Sequence, residues 1–146
     1  MRLLRTLGIL LGIYVTLGFA LDGAIGYFQP QHEGTAVLRT FDSLGNSKDT
    51  VLSVLDDDGQ LWVESGHWFR GWYNRVVDNG EIELVRNGET SFYTAVPLDT
   101  EEAQETVLRL MGKGQSAGYY VGRTMLLWAP VKPVRLDPRV PPRAAR

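Results

Sequence analysis

Hydrophobic positions along the chain follow three patterns in turn: an unbroken apolar run at the amino terminus, a period of two through the middle, and a helical period after residue 99. The run is the simplest to read. Arg2 and Arg5 precede residues 7–21, which carry no charge, and beyond Asp22 the segment 23–28 is again mostly apolar until Pro30. A bilayer-spanning helix needs about 20 apolar residues, which residues 3–21 nearly supply, with Tyr27 and Phe28 as interfacial aromatics. We read the segment as an uncleaved membrane anchor. The competing reading is a signal peptide cut after Gly18-Phe19-Ala20. No polar stripe runs along the segment, so an amphipathic helix packed on a soluble domain fits poorly. With Arg2 and Arg5 at one end, the positive-inside rule leaves the amino terminus cytoplasmic and the following domain outside.

From residue 35 the spacing predicts strands. Residues 35–41 read as a first strand, with β-branched Thr35 and Val37, followed by a polar loop over 42–48. Residues 49–57 form a second strand-like run, and Asp57-Asp58-Gly59 turns it tightly into 60–65. Residues 81–86 alternate, Asn87-Gly88 offers the two positive-φ positions of a type I′ turn, and 91–96 return. Between these hairpins, Trp68, Trp72, Arg75 and Val76 are spaced as one face of a short helix over 68–77, which Asn79-Gly80 stops. Asp99-Thr100-Glu101-Glu102 reads as a helix start with a carboxylate cap, Ala103, Val107, Leu110 and Met111 as its apolar face, and Gly112 as its end. Residues 113–122 are glycine-rich and read as irregular. Met125-Leu126-Leu127-Trp128 then predicts a last strand that Pro130 and Pro133 push towards an edge or an exit from the sheet.

These elements describe a mainly β, α+β domain: a small antiparallel β-barrel of about six strands with short helices at its ends. The predicted divisions are an anchor or signal segment over 1–29, the barrel over 30–138 and a disordered basic tail over 139–146.

Composition narrows the chemistry. A formal charge of −2 supplies no basic face for phosphate backbones, so nucleic acid is not an expected partner. The chain has no cysteine, which excludes disulfides, thiolate catalysis and cysteine metal sites. Asp56-Asp57-Asp58 lacks the spaced oxygen ligands and closing glutamate of a calcium loop and reads as a turn. Ser65-Gly66 lacks the strand-to-helix elbow of a hydrolase nucleophile. His67 reads as a solvent-facing loop histidine, the alternative being a donor to a ligand.

Several segments resemble the split β-barrel flavin and deazaflavin oxidoreductases, in particular the deazaflavin-dependent nitroreductase-like group. They are Leu38-Arg39-Thr40 with its glycine-containing loop, Leu61-Trp62-Val63-Glu64-Ser65-Gly66, and Trp72-Tyr73-Asn74 followed by Asp78-Asn79-Gly80-Glu81-Ile82-Glu83-Leu84. The resemblance implies a split barrel that binds FMN or a deazaflavin and often dimerises. It implies that the loop after the first strand holds cofactor phosphate, here through Ser43, Asn46, Ser47, Lys48 and Thr50. This loop lacks the family's arginine and carries Asp42 and Asp49 instead. It further implies that Trp68, Trp72 and Tyr73 form a wall against the isoalloxazine-like ring, with Asn74 at the ring edge. The same residues also read as a solvated turn, core aromatics closing the barrel mouth and a local backbone cap. In such enzymes the cofactor carries the hydride chemistry, so no catalytic side chain need be visible. The expected function is a membrane-anchored flavin- or deazaflavin-binding protein that reduces a lipophilic quinone or nitro-type acceptor. The alternative is a non-catalytic ligand-binding or scaffold domain on the same barrel.

Overall fold

The computed structural model of the chain describes residues 2–28, 34–112 and 117–140, so the predicted tail lies, beyond Val140, outside the described residues. A long helix, α1 (Arg2–Phe28), precedes β1 (Thr35–Phe41), β2 (Ser47–Ser53), β3 (Leu55–Asp57) and β4 (Gln60–Ser65). Helix α2 (Gly71–Asp78) leads into the hairpin of β5 (Glu81–Arg86) and β6 (Glu89–Pro97). Helices α3 (Glu101–Leu110) and α4 (Ala117–Met125) follow, and β7 (Lys132–Pro138) completes a single sheet.

All pairings are antiparallel, in the order β2-β1-β5-β6-β7-β4-β3. Strands β2 and β3 are joined through Val54 alone yet occupy opposite edges of that order. One residue cannot span seven strands, so the sheet must curl until its edges meet, and β2 accordingly touches β4. Val54 stays tied where the chain changes edges, its N–H donating to the Gly34 carbonyl at 3.0 Å. The run over 49–57 is therefore two strands rather than one, which raises the count from six to seven.

Both two-residue turns form as the sequence predicts. Asn87 and Gly88 have φ of 53° and 82°, and Asp58 and Gly59 have 51° and 92°, the left-handed pair a type I′ hairpin requires. Alternation along the strands then sorts the side chains. Leu38, Val63, Ile82, Leu84, Val134 and Leu136 face inward and are buried. Trp72 and Val76 of α2 pack into the same cluster and plug one end of the barrel. On the outer face Trp62 meets Ala103 and Val107 of α3, forming a second, smaller cluster. The α3 cap is the Thr100 hydroxyl, which accepts from the Ala103 N–H at 3.3 Å, not a carboxylate.

Two predicted elements differ. Residues 125–128 are not a strand: Met125 ends α4, and Leu126 to Trp128 form a turn. The last strand lies further on and is central, flanked by β6 and β4, and it tolerates Pro133 because that proline sits next to the strand's first residue. The glycines of 113–122 suggested irregular chain, yet Gly118 and Gly122 lie within α4, while residues 113–116 are outside the described residues. Helix α2 begins at Gly71 and excludes Trp68.

The plug and its exit turn carry the largest local cost of substitution. Trp72→Ala removes a side chain that is 3% exposed and is expected to destabilise the chain by about 3–5 kcal/mol. At Gly80 a Cβ would stand 2.9 Å from the Ala95 carbonyl oxygen, so Gly80→Ala is expected to cost about 1–3 kcal/mol. Urea denaturation of detergent-solubilised chain reads both, and an unchanged Trp72→Ala midpoint would contradict the plug.

Candidate functional site

The strand registers bring one set of chain ends to a single rim. Ser65 pairs with Lys132, Pro97 with Val134, Glu81 with Thr94 and Thr40 with Ile82. The 42–46 loop, the 66–70 segment, α2 and the residues before β7 therefore all emerge at this end. Arg75 of α2 fastens the plug to it by donating to the buried Thr40 hydroxyl at 2.8 Å. That hydroxyl in turn donates to the Lys48 carbonyl at 3.2 Å.

In the loop over 42–46 the amides are already engaged. The Asp42 carboxylate accepts from the N–H of Leu44 at 2.9 Å, the N–H of Asn46 at 2.8 Å and the Asn46 side-chain amide at 3.0 Å. The Asn46 side chain, followed by the backbone N–H groups of Asn46, Leu44 and Gly45, holds the Asp42 carboxyl below the usual range. A carboxylate of the chain itself thus already occupies this nest of N–H groups. Asp49 pairs with Arg39 at 2.8 Å, and Arg39 also reaches Glu83 at 3.1 Å. Ser43, Asn46, Ser47 and Lys48 are exposed, whereas Thr50 is buried.

The aromatic residues divide as well. Trp72 is core. Tyr73 is half-buried with the Lys132 ammonium 4.7 Å from its ring centre, and burial, followed by the nearby Asp99 charge, pushes its hydroxyl pKa up. Trp68 is exposed and donates its indole N–H to the Leu126 carbonyl at 3.2 Å, and Asn74 is exposed too. Trp68, Tyr73 and Asn74 do come together, lining a cleft of about 130 Å³ with Arg70 and Lys132. Neither Trp72 nor any of the five loop residues lines that cleft.

The residue sequence reasoning missed is Asp22. It lies in α1 with its side chain 1% exposed, and Oδ1 is 2.6 Å from His67 Nδ1 while Oδ2 accepts from the Phe69 N–H at 3.3 Å. His67 is thus not a solvent-facing loop residue: a buried carboxylate needs a partner, and this imidazole supplies it. Arg70 lies close by, its pKa lowered by burial against the partial support of the Glu64 and Asp22 charges. The available signal was a single carboxylate interrupting an apolar helix.

The same stretch of α1 docks on the domain at further points. The Tyr14 hydroxyl donates to the Thr124 carbonyl, Gly18 faces the Leu127 side chain, and the Phe19 and Phe69 rings lie 5.5 Å apart. Gly18 permits that approach, since a Cβ would come within 2.7 Å of Leu127 Cγ and push the leucine side chain aside.

Beside this junction is a cavity of about 450 Å³. Glu64 and His67 border it from the barrel, Tyr119, Arg123 and Leu126 from α4 and its end, and Val131 from the approach to β7. Arg123 steadies that wall by donating to the Ala129 carbonyl and lying over the Trp128 ring at 5.4 Å. The lining mixes apolar surface with carboxylate, imidazole, phenol and guanidinium groups, which suits a ligand with an apolar body and a polar end. Among the described residues no three histidine or acidic side chains converge as a metal site would require.

No family model matches the chain, and no curated protein does. Solved structures do match in fold. An F420-H2-dependent reductase aligns at 14% identity and TM-score 0.55, over 74% of this chain and 100% of its own. The heme storage protein HutZ from Vibrio cholerae aligns at 15% identity and TM-score 0.53, over 76% of this chain and 85% of its own. A structure described as a domain-swapped dimer aligns at 14% identity and TM-score 0.58, over 73% and 82%. At these identities the likeness is one of fold, and the fold is the antiparallel split barrel.

Proposed function

We propose that the chain is a membrane-tethered split-barrel protein that binds a lipophilic small molecule in the Glu64, His67, Tyr119 and Arg123 cavity at the docked end of α1. The observation that carries this reading is the junction itself. A helix of 27 residues, long and apolar enough to cross a bilayer, meets the barrel beside a mixed-polarity cavity of about 450 Å³. A ligand dissolved in the bilayer would reach that cavity without crossing bulk water.

A second reading keeps the flavin or deazaflavin expected from the sequence, with reduction of a quinone or nitro-type acceptor. Its support is the cationic cleft of Trp68, Tyr73, Asn74, Arg70 and Lys132, together with the likeness to an F420-H2-dependent reductase. The filled nest at Asp42 counts against phosphate binding by Ser43, Asn46 and Ser47, leaving Lys48 as the group best able to serve it. Homodimerisation belongs to the same reading and draws on the domain-swapped relative in fold.

Anaerobic fluorescence titration of full-length chain in phosphatidylcholine nanodiscs separates the two. A short-tailed naphthoquinone is expected to bind saturably, and Gly122→Leu to weaken it about tenfold, because nothing lies within 4 Å of a Cβ at that cavity-lining position. FMN or reduced deazaflavin binding that Lys48→Ala weakens by about 1–3 kcal/mol would favour the reductase instead. Absence of binding by all three ligands would sink both readings.

The docking of α1 has its own test. Asp22→Ala removes the acceptor of the His67 Nδ1 and Phe69 N–H contacts and is expected to cost about 1–3 kcal/mol in urea titrations, with Asp22→Asn, which keeps an acceptor oxygen, losing less. Equal losses in the two variants would show that the hydrogen bonds do not carry the contact.

A further inference from the structure

Helix α4 and the turn after it expose apolar and aromatic side chains to an unusual extent. Tyr120, Val121, Met125 and Trp128 are all about half exposed or more, and no residue of α4 is buried. The surface is continuous with α1: the Tyr120 and Trp128 rings lie 6.3 Å apart, Leu127 fills the notch at Gly18, and Trp68 is bonded to Leu126 beside the Phe19–Phe69 contact. Arg123 is the one charged residue in α4.

The length of α1 decides what covers this surface. Residues 2–13 are exposed throughout, and contact with the domain runs from Tyr14 to Asp22. At 1.5 Å per residue, Leu3 to Ile13 rises about 16 Å, roughly half of the ~30 Å hydrocarbon layer. Residues 14–21 supply about 12 Å more. A crossing by α1 must therefore use the very residues that grip Thr124, Leu127 and Phe69, and the gripped groups descend with them.

We propose that α4 and the Leu126–Trp128 turn are embedded in one leaflet beside α1, so that the lipid bilayer is the partner of this apolar face. The inference rests on α1 spanning the bilayer. The backbone of the turn fits the same arrangement. Leu127 and Trp128 have φ of 52° and 53°, left-handed values that bulky residues rarely adopt. The Trp128 N–H to Arg123 carbonyl bond of 2.7 Å closes a helix cap at which glycine is the usual residue. Holding a leucine there aims an apolar side chain at α1 and leaves an indole outside, the arrangement of a side chain anchored at the membrane interface.

The chain has no cysteine, so single environment-sensitive labels can be placed without a background. Full-length Leu10→Cys, Val121→Cys and Val77→Cys, each nitrobenzoxadiazole-labelled, would be reconstituted in phosphatidylcholine vesicles with and without nitroxide-labelled phosphatidylcholine. All three positions are exposed, so labelling should leave the fold intact. The expected result is at least twofold quenching at positions 10 and 121 and none at the α2 control, position 77. Quenching at 10 without quenching at 121 would overturn the embedded α4 while the anchor stands. A blue shift at 121 without quenching would mean that protein, such as a second copy, covers the face, which also overturns it. Loss of quenching at 10 would overturn the anchor reading and this inference with it.

Discussion

Everything in the domain depends on the step at Val54, where a chain that has just finished one edge of the sheet begins the other. That connection leaves no room for an open sheet. Curling is forced, the inner faces of β1, β4, β5 and β7 converge on one core, and Trp72 closes the end left open. The curling also brings the β2 edge against β4, so the two ends of the sheet lie near each other although no ladder joins them. Because α2 is the plug, the segments before and after it are confined to the same rim, and that rim becomes the place where a site can be built.

The rim is electrostatically uneven. On one side, the Asp42 turn and the Arg39, Asp49 and Glu83 network satisfy their charges among themselves and face water. On the other, Asp22, His67, Arg70 and Glu64 lie close together with little access to solvent. Burying charge is tolerable only when it is paired, so the second group is held by mutual need and holds α1 with it. Its cavity inherits polar groups that are positioned in advance, a condition for selective binding of a mostly apolar molecule.

Much of the barrel was legible in the sequence because its signals are local. Asn87-Gly88 and Asp58-Gly59 announce their turns by backbone conformation, and the alternation from Glu81 to Arg86 fixes which side chains face inward. The break at Val54 was not legible, since nothing in the run over 49–57 distinguishes one long strand from two that belong to opposite edges. Nor was α4: Gly118 and Gly122 weaken helix propensity, and the apolar run from Met125 to Trp128 imitates a strand while forming a helix end and its turn. The site divided in the same way. Trp68, Tyr73 and Asn74 do share a cleft, because they are neighbours in sequence. Asp22 and His67 meet across 45 residues, and no short-range pattern encodes that pairing.

The distance along the chain between Asp22 and His67 has a consequence for biogenesis. Synthesis proceeds from the amino terminus, so the carboxylate on α1 is complete well before the imidazole that will neutralise its need for a partner exists. Until β4 has formed and carried His67 into place, Asp22 lacks the partner that the folded domain gives it. The docking of α1 on the barrel is therefore completed late, with the folding of the segment after β4 rather than with the formation of the helix itself, and a chain that stalls before β4 would leave its amino-terminal helix unfastened at Asp22.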